Sequence, residues 1–380
     1  MKPVLIIHTM EAVMKRNSSV ARECLIRSSV VSIIILLACL AVPVPGLTAS
    51  AGAEQKLVLA FYYPWYRTIE DSGYCTWNFG GLQYEDRDKR CAENKNTPRL
   101  PAGGLYDSLN PEVVRRHLDE SRRAGIDGWV VSWWGRGDQT DAALALVLDE
   151  AGEHAPGFKI AVYYEMIPGC RGWTCDEMKG PEKVKAALDD FRWLHSRYFS
   201  HPSYLRADGR PVVFVYIRAM LHGMGEWPQI IAQLRPEMEL FLSADAATTF
   251  LDPLVPKVFD QVHFYNQVYE LKILAPWLVD YRGFVQRARC SGRSAAVTVI
   301  PGYDERLVPG RPGVRLERKD GKTYEQIWEK ALAAEPDWVL ITSFNEWYEG
   351  SEIEPSQELG ETYLDLTASY AARFKGDASP

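Results

Sequence analysis

The amino-acid sequence predicts a single (β/α)₈ barrel, and three observations carry the prediction. Eight short apolar runs recur between residues 57 and 342, amphipathic helical stretches separate them, and the long connections lead from strand to helix. Hydrophobic residues make up 47% of the 380-residue chain, enough for a large core and too many for global disorder.

Taken in order, the chain opens on a segment unlike the rest. Arg22 and Arg27 precede the apolar run Val30–Val42, which gives way to Pro43, Pro45, Gly46 and the small residues Thr48–Ala53. That order of charged, apolar and small residues is a secretory signal, with a cut expected after Ala51 or Ala53. Met14-Lys15-Arg16 offers a second start. A retained anchor competes with cleavage, although Val30–Val42 falls short of the ~20 residues of a full span. Leu36-Leu37-Ala38-Cys39 faintly resembles a lipoprotein cleavage box, but the apolar run continues past Cys39. Residues 1–54 therefore read as signal peptide or anchor, and residues 55–376 as the catalytic domain. The expected location is outside the cytosol (periplasmic, secreted or anchored facing outward), with membrane contact only through the first segment.

The expected strands are Leu57–Tyr62, Gly128–Trp133, Lys159–Tyr164, Pro211–Tyr216, Leu240–Ala244, Gln261–Tyr265, Ala296–Ile300 and Trp338–Thr342. Several are continuously apolar, as parallel strands covered on both faces must be. Helices are expected at Pro111–Ala124, Asp141–Ala151, Pro181–Tyr198, Lys272–Ala288, Tyr324–Ala334 and about Glu361–Phe374. Asn110-Pro111 is a start signal, a capping side chain followed by proline in the first turn. An open doubly wound sheet is the alternative, but no glycine-rich fingerprint follows the first strand. Long loops follow the first strand (Trp65–Asn110), the third (Glu165–Gly180) and the seventh (Gly302–Lys322). Most helix-to-strand links, such as Gly125–Asp127 and Glu335–Asp337, are short; Phe199–Arg210 is the exception. A barrel carries its active site on the strand-to-helix side, where the long loops are.

Net charge is −7 and no basic run marks a nucleic-acid surface. The excess is aromatic, with 12 Trp and 19 Tyr. Flat rings with one polar atom suit sugar faces; a Trp-rich core is the competing explanation. Five of the seven cysteines lie beyond residue 54. Cys75/Cys91 and Cys170/Cys175 read as disulfides of an exported protein, with Cys290 free, because Cys-x₄-Cys without a second pair is poor zinc spacing. No metal and no cofactor are expected.

Just past the expected strands stand Tyr63-Pro64-Trp65-Tyr66, Trp133-Trp134, Glu165, Tyr216, Asp245, Tyr265-Asn266, Tyr303-Asp304 and Asn345-Glu346-Trp347-Tyr348-Glu349. Aromatics and carboxylates thus converge on one end of the barrel, where ligands bind. Tyr63, Trp65, Tyr66, Trp133, Trp134, Glu165, Tyr216, Tyr265, Tyr303, Asn345 and Tyr348 are the expected substrate contacts. Glycosidic hydrolysis uses two carboxyl groups, one protonating the leaving oxygen and one assisting at the sugar carbon. Glu346 and Glu349, three residues apart at a helix-like turn, can face one side. The alternative is two solvated glutamates at a helix start, where negative charge is favoured in any case.

The segment Ser343-Phe344-Asn345-Glu346-Trp347-Tyr348-Glu349-Gly350 with Ile353-Glu354-Pro355 resembles the signature of glycoside hydrolase family 99, the endo-α-1,2-mannosidases and endo-α-1,2-mannanases. Similar to it as well are Phe61-Tyr62-Tyr63-Pro64-Trp65-Tyr66, Tyr106-Asp107-Ser108 with Asn110-Pro111-Glu112-Val113, and Val131-Ser132-Trp133-Trp134-Gly135. His201-Pro202-Ser203-Tyr204-Leu205, Asp208-Gly209-Arg210-Pro211-Val212 and Pro301-Gly302-Tyr303-Asp304 extend the likeness to about residues 56–375. The resemblance implies a metal-free barrel that cuts inside α-mannosyl chains with retention. It implies Glu349 as general acid/base and Glu346 as the carboxylate assisting attack by the substrate's own 2-hydroxyl. Two positions depart from the pattern. Tyr348 stands where the family has His, and the His-Ile-Glu-Pro-Tyr stretch after the third strand becomes Tyr164-Glu165-Met166, keeping only Glu165. The expected partner is an oligosaccharide or polysaccharide, not nucleic acid. The rivals are a glycosidase of the same mechanism on another polysaccharide, a catalytically silent carbohydrate-binding barrel and a transferase, the last without a nucleotide-phosphate loop in the sequence.

Overall fold

Strands form where apolar residues occupy both faces, and each face then finds its own cover. In the computed structural model, which describes residues 56–72, 75–77, 96–170, 172, 175–246, 258–268 and 280–376, eight such runs are strands. They are β1 (Leu57–Tyr62), β2 (Gly128–Trp133), β3 (Lys159–Tyr164), β4 (Arg210–Val215), β5 (Phe241–Asp245), β6 (Gln261–His263), β7 (Ser294–Val299) and β8 (Trp338–Ile341). Each pairs in parallel with its sequence neighbours, β8 with β1, and the β3–β4 pairing completes the ring. The protein is a (β/α)₈ barrel. The expected signal or anchor segment, Cys24, Cys39 and Cys91 lie outside the described residues.

Alternation along the strands divides the core into two shells. Leu57, Leu59, Phe61, Val130, Ala161, Tyr163, Val212 and Phe214 fill the barrel. Val58, Ala60, Tyr62, Trp129, Val131, Trp133, Val162 and Tyr164 point outward against the helices. Those helices are α1 (Pro111–Arg123), α2 (Gln139–His154), α3 (Gly180–Arg197), α4 (Trp227–Leu234), α5 (Tyr281–Cys290), α6 (Lys322–Ala334) and α7 (Thr362–Lys375). Asn110 caps α1 by accepting from the Glu112 N–H, with Pro111 in the first turn, as the sequence predicts. The expected helix Lys272–Ala288 is described only from Tyr281, and it runs on to Cys290.

The lower end of the barrel is fastened by aspartates that precede strands. Asp127 accepts from the Val58 N–H at 2.8 Å, Asp260 from Leu242 at 3.0 Å and Asp337 from Ala295 at 2.7 Å. Each ties the start of one strand to its neighbour, the stabilising role of this face. The long Phe199–Arg210 link is explained by a small hairpin: Arg206–Ala207 pairs antiparallel with Arg210–Pro211 around Asp208-Gly209, both at positive φ.

Cys170 and Cys175 are bridged. Cys75 is also disulfide-bonded, and Cys290 is free and exposed. No helix among the described residues is long and apolar enough to cross a membrane.

Candidate active site

The turn that follows β8 is held from several sides. Ser343 Oγ accepts from the Glu346 N–H at 2.7 Å, and Glu346 Oε1 accepts from the Tyr348 N–H at 3.1 Å. Trp347 donates its backbone N–H to Tyr66 OH at 2.9 Å and its indole N–H to Glu354 Oε2 at 3.0 Å. Glu354 also accepts from Tyr106 OH at 2.8 Å and lies 3.0 Å from His117 Nε2 on α1. A buried network thus fixes the two glutamates from behind.

The pair sits in unequal surroundings. Glu346 is only 2% exposed. Burial first, then the charge of Glu349, pushes its carboxyl well above the usual range; Arg311 and the backbone N–H groups of Tyr348 and Glu349 oppose this. Glu349 lies nearer the opening, its side chain 12% exposed. Arg311 Nη1 donates to its Oε1 at 2.6 Å and Tyr265 OH to its Oε2 at 3.2 Å. Glu165, beyond β3, accepts from Ser132 Oγ at 2.7 Å. Burial raises it to about 7, assisted by Glu349 and Asp245 and opposed by Ser132 and Arg218.

An aromatic rim runs beside these carboxyls. The Tyr63 ring lies 4.6 Å from Trp65, which is 6.2 Å from Trp134 and 6.3 Å from Tyr348. Tyr265 lies 6.4 Å from Tyr63 and 5.9 Å from Tyr216. The half-buried members are Trp65, Trp134 and Tyr216, and Trp65 Nε1 is buried with no hydrogen-bond partner among the described residues. Arg218 stands over two of these rings, 5.3 Å from Trp134 and 5.8 Å from Tyr216, and all three keep part of their surface exposed.

Other expected contacts lie deeper. Trp133 faces the helices, because the alternation that turns Trp129 and Val131 outward carries it along, and its indole donates to Asp141 at 2.9 Å. Asn345 is fully buried and holds both ends of the Tyr63 peptide, accepting at 2.7 Å and donating at 3.1 Å. Tyr66 is stacked under the turn on Trp77 at 4.3 Å. Tyr348, 1% exposed, spends its hydroxyl on the Thr76 carbonyl, and Tyr303 spends its own on Glu305 at 2.9 Å. These four are buried, with their polar atoms engaged within the protein.

Sequence reasoning missed Arg311, Arg218 and Ser132. Arg311 sits in a long loop without periodicity. Arg218 lies on a helix of six residues, Ile217–His222, too short for a helical pattern to show. Ser132 had a signal: it alternates with Val131 and Trp133, so it must face inward. Among the described residues no group of three or more His, Cys, Asp or Glu is placed to hold a metal ion.

Comparison with known proteins fits the geometry. The model of glycosyl hydrolase family 99 matches residues 53–237 and 284–371. The chain belongs to this family. As a family 99 glycoside hydrolase it is 25% identical over 341 residues to the glycoprotein endo-alpha-1,2-mannosidase of Mus musculus, covering 80% of this chain and 70% of that one. A glycoprotein endo-alpha-1,2-mannosidase-like protein of the same species is 24% identical over 358 residues, covering 83% and 76%. The endo-alpha-mannosidase of Bacteroides thetaiotaomicron, solved with bis-tris-propane, shares the fold with a TM-score of 0.69 at 23% identity, covering 84% of this chain and 97% of that one.

Proposed function

We propose that this family 99 hydrolase is exported and cuts α-1,2-mannosidic linkages inside mannan or mannose-containing glycans, with retention of configuration. The observation that carries the reading is the Glu346–Glu349 pair, two carboxyls on one turn in unequal surroundings. Glu346 is the base toward the sugar's 2-hydroxyl. It acts as base from its ionised form, which burial disfavours and which Arg311 and the backbone N–H groups of Tyr348 and Glu349 favour; once ionised in a buried site it takes up a hydroxyl proton readily. Glu349, nearer the opening, is the general acid.

In the first step O2 gives its proton to Glu346 and attacks the anomeric carbon from the rear. The bond to the leaving oxygen breaks and that oxygen takes the Glu349 proton. A 1,2-anhydro sugar results, with no sugar bonded to the protein. In the second step water attacks the same carbon and gives a proton to Glu349, while the bond from that carbon to O2 breaks and Glu346 returns its proton to O2. Two inversions amount to retention. The names carried by the relatives supply the mannose assignment; Trp65, Trp134 and Tyr216 supply the platform for sugar rings. Residues 1–54 act as signal or anchor and residues 55–376 as the catalytic domain.

Incubation of purified protein with α-1,2-linked mannan, followed by NMR of fresh product, tests the proposal. Oligosaccharides released first as the α-anomer are expected. Release of β-anomer would overturn retention. Cleavage of a different α-glycan with mannan left intact would favour the other-polysaccharide reading, and binding without product would favour the silent barrel.

A further inference from the structure

The segment after β7 returns to the turn after β8 at three points. The Asp304 N–H donates to the Glu349 carbonyl at 2.6 Å. Arg311 Nη1 donates to Glu349 Oε1 at 2.6 Å. Arg318 Nη2 donates to the Glu352 carbonyl at 2.7 Å and to Glu352 Oε1 at 2.9 Å, and reaches the Gly350 carbonyl at 3.1 Å. From the opposite side Arg99 Nη2 donates to the same Gly350 carbonyl at 2.7 Å. Residues 303–318 therefore form a strap, closed on itself by the short antiparallel ladder of Tyr303–Asp304 with Arg315–Leu316. Gly302 makes room for it: a Cβ there would stand 2.4 Å from Arg318 Cγ.

Arg311 is the one strap side chain on a proposed catalytic carboxyl, and its placing is built rather than casual. Nη1 also donates to Glu305 Oε2 at 3.2 Å and to Tyr303 OH at 3.3 Å, and the Glu305 side chain is completely buried. Glu305 is itself held by the Val314 N–H at 3.2 Å. A guanidinium moored this way loses little freedom on meeting Glu349, unlike the arginine of a loose surface pair. It meets Glu349, Glu305 and the Tyr303 hydroxyl, and its charge also acts on Glu346, so it is a positive charge amid three carboxyls.

We infer that Arg311 is the positioning residue of the acid step: it fixes Glu349 Oε1, Tyr265 fixes Oε2, and the guanidinium stabilises the carboxylate that remains once the leaving oxygen is protonated. The inference rests on Glu349 being the general acid. Its consequence is chemical rather than structural. Help given to proton donation matters most when the leaving group departs poorly without a proton, and least when it departs as a stable anion.

The test uses aryl α-1,2-mannobiosides of graded leaving-group acidity, from methylumbelliferyl to 2,4-dinitrophenyl, with wild type, Arg311→Met, Arg311→Lys and Glu349→Gln. Arg311→Met should lose about 10²-fold in kcat/KM on the poorest leaving group and under about tenfold on dinitrophenolate, the loss lying in kcat rather than KM. Arg311→Lys should recover part of it, because the charge returns without the fork. Equal loss across the series, or no loss, would overturn the inference while Glu349→Gln keeps its own steep dependence. A flat Glu349→Gln series would overturn the acid assignment beneath it, and wild type inert on the whole series would overturn the mannosidase reading and this inference together.

Discussion

At the scale of single residues, the proposed mechanism divides the chemistry between the two glutamates, and substitution should separate them. Glu349→Gln removes the proton donor, so it should cost roughly 10²–10⁴-fold on natural glycan and far less with a dinitrophenyl leaving group. Glu346→Gln should be slow with every leaving group, since the 2-hydroxyl step does not disappear. Kinetics on both classes of substrate check this, and a covalent sugar on Glu346 found by mass spectrometry would make that residue an ordinary nucleophile. Trp134 offers a second test. It is half-buried, keeps its indole N–H on Ser132 Oγ at 3.0 Å and carries the Arg218 guanidinium 5.3 Å from its ring. A ring on the rim, 6.2 Å from Trp65, should restrict which terminus fits next to the cleaved bond, mannose or a glucosylated one. Trp134→Tyr should shift that preference in competition assays; unchanged activity and preference would remove it from the site. What could be read from the sequence at this scale was residue type at strand ends, which brought Glu346, Glu349, Glu165, Tyr63, Trp65 and Tyr265 together. It could not say which rings face solvent. Asn345 and Tyr348 look like binding residues and are consumed internally, by the Tyr63 peptide and the Thr76 carbonyl. Arg311 reaches Glu349 across 38 residues, a separation that carries no local pattern.

At the scale of elements, the barrel was legible because its strands are apolar on both faces, and β1, β2 and β3 begin and end where the sequence puts them. The signal fades where elements are short. β6 spans three residues rather than the expected five, and Arg315–Leu316 contains an exposed arginine that no strand pattern would select. α4 was not anticipated, although Trp227, Ile230, Ile231 and Leu234 have helical spacing; it follows the Ile217–His222 helix so closely that the two blur. One glycine tests the barrel seam. Gly128 opens β2, and a Cβ there would stand 2.2 Å from the Lys159 carbonyl oxygen, a backbone atom of β3 that cannot step aside. Gly128→Ala should therefore cost about 1–3 kcal/mol or prevent folding, which a denaturant titration would show. Wild-type stability in that variant would mean that β2 and β3 lie farther apart at this end than described.

At the scale of the whole molecule, several carboxyl groups are buried where ionisation is disfavoured, and stability should depend on pH accordingly. Burial lifts Glu120 from 4.5, Glu165 from 4.5 and Asp190 from 3.8, each to about 7. Between the ordinary and the raised value the folded protein holds protons that the unfolded chain has released, so each group lowers stability as pH rises through that window. Two histidines pull the other way. Burial lowers His263 to about 3 and lowers His222, so the unfolded chain holds their protons longer, and stability gains from them as pH rises toward 6.5. The net slope of the wild type thus mixes both signs, and a difference between two proteins isolates one group. Glu120 suits the purpose, for it lies on α1 behind the turn and takes no part in the proposed chemistry. Its Oε2 is buried without a hydrogen-bond partner among the described residues, and Arg116 approaches its Oε1 only to 3.8 Å. His117 lowers it while Glu354 raises it, so burial decides. Glu120→Gln carries no charge at any pH and escapes the cost of ionisation. Relative to wild type it should gain up to about 3 kcal/mol as pH rises from 4.5 to 8, the gain levelling off above about 7. Urea titrations of both proteins at several pH values measure the difference. A difference independent of pH would mean that Glu120 is as free to ionise in the folded protein as in the unfolded chain, and that α1 leaves its carboxyl open to water.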